Sequence, residues 1–166
     1  VTNGTLLTTT ARYEDITNNV DRIGLNIEQN SYSWNETAVD KSLVLEYKIK
    51  NVAGGSIDNL YAGIFTNWDI GDNTKNLGDW DADNVLGYVR ESAVNGWYAG
   101  ITCLTERDVS LSAQKIHYYA FDNAISTINI ADGFTKQEKF DAISKGIAKP
   151  QAGTAQGNDV ANLLGV

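Results

Sequence analysis

Asn67-Trp68-Asp69-Ile70-Gly71-Asp72-Asn73, followed by Asn76 and then Asp79-Trp80-Asp81-Ala82-Asp83-Asn84, crowds carboxylate and amide oxygens between two apolar segments. Carboxylates held in one stretch repel one another unless a positive charge sits among them. The cation suited to an irregular, all-oxygen site is calcium, which takes about six to eight oxygen ligands. Asp69, Asp72, Asp79, Asp81 and Asp83 are the carboxylate candidates, and Asn73, Asn76 and backbone carbonyls complete the expected shell. Asp79-x-Asp81-x-Asp83 copies the opening of an EF-hand loop, but Asn84 replaces its glycine and Arg90 its bidentate glutamate, so an EF-hand is rejected. The competing reading is turn chemistry, in which Asp, Asn and Gly cap the local backbone. Zinc is disfavoured, because Cys103 and His117 lack ligand spacing.

Trp68 and Trp80 lie inside this polar stretch and are expected to be partly exposed, Trp80 above all, as a face on which a sugar ring could stack. Trp34, Trp97, Tyr61, Tyr98, Tyr118 and Tyr119 are further aromatics from which such a platform could be built, core packing being the competing reading for most of them. Carbohydrate binding or adhesion is therefore an alternative function. No Gly-x-Ser-x-Gly elbow, Cys-His signature or phosphate-cradling glycine loop occurs, and the sole histidine, His117, falls in a strand pattern. No catalytic residue is named, and a non-enzymatic chain is expected.

The elements that must position these residues read with a period of two. Ile23, Leu25 and Ile27, and then Leu43, Leu45, Tyr47 and Ile49, alternate with polar residues, which predicts two strands with one buried face each. Ala53-Gly54-Gly55-Ser56 predicts a turn, with Leu60 to Phe65 returning as the second strand of a hairpin. Residues 85–94 and 97–104 flank Asn95-Gly96, the strongest hairpin signal in the chain, and Trp97, Ala99, Ile101 and Cys103 share one face of its second strand. Residues 115–121 and 126–130 read as further strands. Thr135-x-x-Glu138 is a capping box that opens a short helix, with Phe134, Phe140, Ile143 and Ile147 at its one-sided spacing. Many strands and one C-terminal helix predict an all-β, antiparallel β-sandwich.

With 166 residues the chain is expected to form a single domain, residues 1–166. Its formal charge of −8, with Lys and Arg scattered, disfavours nucleic acid as a partner, and no apolar stretch is long enough for a membrane span. The chain opens on Val1, contains no methionine and closes on an apolar segment, so a mature or excised piece of a longer protein is expected. Such a chain could also serve as an assembly subunit joined to its neighbours by strand addition at an open sheet edge.

Leu60-Tyr61-Ala62-Gly63-Ile64-Phe65-x-x-Trp68-Asp69-Ile70-Gly71, Leu86-Gly87-Tyr88-Val89, Tyr98-Ala99-Gly100-Ile101 and Asp132-Gly133-Phe134-Thr135-x-x-Glu138-Lys139-Phe140 stand in this order. In these segments the chain resembles the accessory β-domain that follows subtilisin-like peptidase domains in secreted proteins of Bacteroidetes. In that group the strand before the acidic loop commonly ends in Asp-Trp-Asp, where this chain has Asn67 first. The resemblance implies export to the cell surface or medium and a non-catalytic role beside a subtilisin-like peptidase or other parent-chain domains. The reading that results is an extracellular accessory module, stabilised by structural calcium.

Overall fold

The computed structural model describes residues 5–15, 20–93, 96–104, 116–123, 135–149, 152 and 159–166. The expected strand over 126–130, the turn residue Asn95 and the start of the strand at Lys115 lie outside the described residues. Contacts group the chain into two compact units, Val1–Leu60 and Tyr61–Val166.

The first unit is an antiparallel meander of β1 (Leu6–Glu14), β2 (Leu25–Trp34) and β3 (Leu43–Asn51). Asp15 closes the β1–β2 end: its Oδ2 accepts N–H groups of Gly24 at 2.6 Å and of Ile23 and Leu25 at 3.1 Å. The Leu25 and Gly24 amides thereby hold its carboxyl below the ordinary range. One sheet face is a polar ladder in which Glu28 takes Arg12 at 3.0 Å and Lys48 at 3.4 Å, while Glu46 takes Asn30 and Tyr32. The register aligns Tyr13 with Ile27 and Ile27 with Ile49 on the other, apolar face. The expectation that this face is buried needs correction, since Leu43, Tyr47 and Ile49 are all exposed.

The second unit holds two sheets, ordered β4-β10-β8-β9 and β5-β6-β7. Their strands are β4 (Gly63–Trp68), β5 (Asn76–Asp81), β6 (Leu86–Glu91), β7 (Tyr98–Thr102), β8 (His117–Asp122), β9 (Ile147–Ala148) and β10 (Val160–Gly165), with helix α1 at Lys136–Ser144. Val89 of β6 packs against Tyr118, Ala120, Val160 and Leu164 of the facing sheet, with Trp80, Ile101 and Cys103 around them. That is the interior of a sandwich. On the far side of the first sheet, Tyr119, Phe121, Ala161 and Leu163 are covered by Ala142 and Ile143 of α1. Strands β8 and β10 are thus buried on both faces, and their apolar runs follow from that.

The all-β class with one short helix is therefore what the chain adopts, but the helix is shorter than its apolar spacing predicts. It ends at Ser144, Gly146 takes a positive φ of 77°, and Ile147 pairs with Tyr118 as part of β9, while Phe134 lies outside the described residues. The capping box forms as expected: Thr135 Oγ1 accepts the Glu138 N–H at 3.2 Å, and Glu138 accepts the Thr135 N–H at 2.9 Å. The expected β3–β4 hairpin does not form, because β3 pairs with β2 and β4 pairs with β10. Residues 52–62 separate β3 from β4, well beyond the roughly two to five residues of a tight hairpin. Strand β4 instead needs cover for Phe65, which meets Phe121 edge-on at 5.6 Å. His117 is a packed structural residue: its Nδ1 accepts the Gly146 N–H at 2.9 Å and Tyr61 meets the ring edge-on.

Candidate functional site

The acidic stretch is not one loop. Its middle is β5, whose Gly78 and Trp80 turn inward and whose Asp79 and Asp81 turn outward, so the expected ligands fall into two groups at opposite ends of a six-residue strand. At about 3.4 Å per residue those ends are about 17 Å apart. One calcium ion, with ligands at about 2.3–2.6 Å, cannot draw on both.

The first group is built around Asn76, fully buried at the start of β5. Its Nδ2 donates to the carbonyls of Ile70 at 2.9 Å and Asp72 at 3.0 Å, and its Oδ1 accepts the Ile70 N–H at 3.4 Å. Asp72 caps the short 3-10 turn Asn73–Lys75, accepting from the Thr74 N–H and hydroxyl, and pairs with Lys75 at 2.7 Å. The Lys75 ammonium and then the Thr74 hydroxyl pull the Asp72 carboxyl down to about 2. Asp69 accepts from the Asn73 amide at 3.0 Å. At the other end Asp81 ties the β5–β6 turn, accepting the Asn84 side-chain amide at 2.7 Å and the N–H groups of Asp83 and Asn84 at 3.0 and 3.1 Å. Asp83 sits exposed in that turn. Among the described residues no three Asp, Glu, His or Cys side chains are grouped as a metal ion would need.

Asp72 carries a measurable signature. Because its folded-state value lies below the ordinary 3.8, its contribution to stability is present above 3.8 and is lost as pH falls toward about 2. Asp72→Asn is expected to melt a little below the parent at neutral pH, the gap closing across that window; both partners are exposed, so the gap is small. A gap unchanged from pH 7 to pH 2 would remove the Lys75 pair from the account.

Trp80 and Trp68 are drawn toward the inter-sheet core. Trp80 lies 5.2 Å from the Tyr118 ring at 31°, and Trp68 packs on the same cluster with its Nε1 buried and, among the described residues, without a hydrogen-bond partner. The face that β5, β6 and β7 turn outward carries other aromatics. The register sets Tyr88 beside Asp79 and Gly100, Leu86 beside Asp81 and Thr102, and Arg90 beside Leu77 and Tyr98. Gly100 has no side chain to fill the space next to Tyr88; a Cβ there would press on Leu86, the Gly87 carbonyl and Tyr88. The result is a groove of about 400 Å³ lined by Asp81, Leu86, Tyr88, Tyr98, Ala99 and Gly100. The depression is shallow and open toward solvent, a shape for a ligand that lies along the surface rather than one that is enclosed.

Tyr88 is held in place from below. Its hydroxyl donates to Asp79 Oδ2 at 3.4 Å, and Asp79 also takes the Lys149 ammonium and its neighbour's N–H at 2.8 Å. Burial works against the charge on Asp79, but Lys149 and the Trp80 N–H outweigh it, so its carboxyl titrates below the ordinary value. Sequence reading counted Tyr98 among the aromatics of a possible sugar platform but passed over Tyr88, and it favoured Trp80 and Trp68 as the ligand-binding pair. The signal was the alternation that set Ala99, Ile101 and Cys103 inward, since it necessarily turns Tyr98, Gly100 and Thr102 outward.

These features define a class, an antiparallel β-sandwich unit presenting an aromatic groove on its open sheet face. Comparisons of the chain with protein-family models, curated protein sequences and solved structures found no match.

Proposed function

We propose that this chain is a non-catalytic accessory module of a larger secreted or cell-surface protein, and that it binds carbohydrate in the Tyr88–Tyr98 groove. The carrying observation is the pairing of two tyrosine rings with a side-chain-free floor at Gly100 and the ionised Asp81 at one end. Apolar ring faces of a sugar stack on aromatic rings, and its hydroxyls donate to a carboxylate that can only accept. Binding is favoured over hydrolysis because Asp79 and Asp81 both titrate below the ordinary carboxylate value. Glycosidic cleavage needs one carboxyl that keeps its proton near neutrality.

Tyr98 is 69% exposed, so removing its ring tests binding apart from folding. Tyr98→Ala is expected to weaken retention in a polysaccharide-containing native gel at least tenfold, a change of about 1.4 kcal/mol, with the melting temperature nearly unmoved. Retention equal to the parent's across a broad polysaccharide panel would exclude the groove. The secreted accessory role rests on the sequence resemblance and predicts that the parent protein carries a separate peptidase domain. Recovery of the full-length reading frame tests it.

A further inference from the structure

We infer that the groove is a two-seat cleft for an internal stretch of a linear, neutral glycan, an inference that rests on the groove being a carbohydrate site. The Tyr88 and Tyr98 ring centroids are 6.3 Å apart and their planes are tilted by 36°. A sugar ring clamped between two aromatic rings needs about 3.5–4 Å on each side, or about 7–8 Å in all. The tyrosines are therefore too close to grip one ring between them. The register sets Tyr88 and Tyr98 diagonally across β6 and β7 on one sheet face, so each is placed to serve a different sugar ring. Successive rings of one chain fit that arrangement; a single terminal sugar would leave one tyrosine unused.

The surroundings agree with a chain that passes through. Strand β7, which carries Tyr98, is the edge strand of its sheet, so among the described residues no further strand of that sheet walls the groove beyond it. At the other end the groove reaches Asp81 and Leu86 in the row of the β5–β6 turn. The charges select against an acidic ligand. Asp81 is an ionised acceptor, Asp79 is neutralised by Lys149, Arg90 adds one positive group in the Tyr98 row, and the whole chain carries −8. A neutral polyol supplies hydroxyl donors to Asp81, whereas a uronate would meet its charge at close range.

The test is calorimetric titration of the purified chain with neutral linear oligosaccharides of one to six residues from the gluco-, xylo-, manno- and N-acetylgluco- series. Affinity for one series should rise at least tenfold from monosaccharide to tetrasaccharide and then level off. Tyr98→Ala should abolish that gain with length, and Gly100→Thr, which fills the floor, should weaken every length. Equal affinity for the monosaccharide and the tetrasaccharide would overturn the two-seat cleft and leave the carbohydrate reading standing. No binding by any oligosaccharide in the four series would overturn both. Tighter binding of a uronate oligomer than of its neutral counterpart would overturn the neutral specificity.

Discussion

Replacing Asn76 by leucine is expected to cost about 3–5 kcal/mol, among the larger losses that a single substitution produces. The Asn76 side chain satisfies three backbone groups, the N–H and C=O of Ile70 and the C=O of Asp72, and does so from a fully buried position. Leucine keeps the branched outline, with bulkier methyl groups, but leaves all three without a partner, at about 1–3 kcal/mol for each group that stays dry. A fall of roughly 10 °C or more in melting temperature follows for a domain of this size. Asn76→Asp separates this account from the calcium reading of the same loop. An aspartate keeps the oxygen that accepts from Ile70 but replaces the donor with a charge facing two carbonyls, so it should melt as low as the leucine variant. Calcium should not restore it beyond what magnesium does. A calcium-specific recovery would give the 69–76 loop an ion and Asn76 the role of ligand.

The parts of this fold that rest on neighbours in sequence were legible in the sequence. The Thr135–Glu138 capping box and the antiparallel β6–β7 pair both involve residues close along the chain, and both form. The expected two-residue connection at Asn95-Gly96 does not hold, because Arg90 pairs with Tyr98 and the Glu91 N–H donates to the Trp97 carbonyl, which leaves residues 92–96 between the strands. Trp97, expected on the inner face, is 69% exposed. The partner of β4 was not legible, because β10 lies nearly a hundred residues away and a Gly-Gly segment after β3 suggests a nearer one. The acidic stretch misled for a different reason. Within β5 the inward positions are Gly78 and Trp80 and the outward ones Asp79 and Asp81, so its period of two is carried by a glycine that has no hydropathy to show. Once β5 is a strand, four of the five carboxylates have a local duty: Asp69 holds the Asn73 amide, Asp72 caps a turn and pairs with Lys75, Asp79 pairs with Lys149 and braces Tyr88, and Asp81 ties the β5–β6 turn. A count of carboxylates along a sequence measures crowding only where the backbone is not extended between them.

Gly87→Ala is the second substitution from which a large effect is expected, and it joins the core to the groove. A Cβ at residue 87 would stand 2.2 Å from Tyr118 Cε2 and 2.5 Å from Cδ2, closer than any two carbons pack. Tyr118 is fully buried, with the Trp80 ring 5.2 Å away, so it has little room to yield. Overpacking of this kind costs about 1–3 kcal/mol. A β-branched residue such as valine should exceed that and prevent folding. Trimming the ring tests the cause: Tyr118→Val alone opens a cavity and destabilises by about 3–5 kcal/mol. In the Gly87→Ala, Tyr118→Val pair the new methyl enters that space, so the pair should be more stable than the sum of its parts by about 1–3 kcal/mol. Strict additivity would show that the two residues do not press on each other. Because Gly87 precedes Tyr88 on β6, the clash also lifts the strand that presents the groove, and Gly87→Ala should lose carbohydrate affinity that the paired variant regains. The absence of a side chain at residue 87 is then what lets the Tyr118 ring pack directly beneath β6 while the next residue faces solvent.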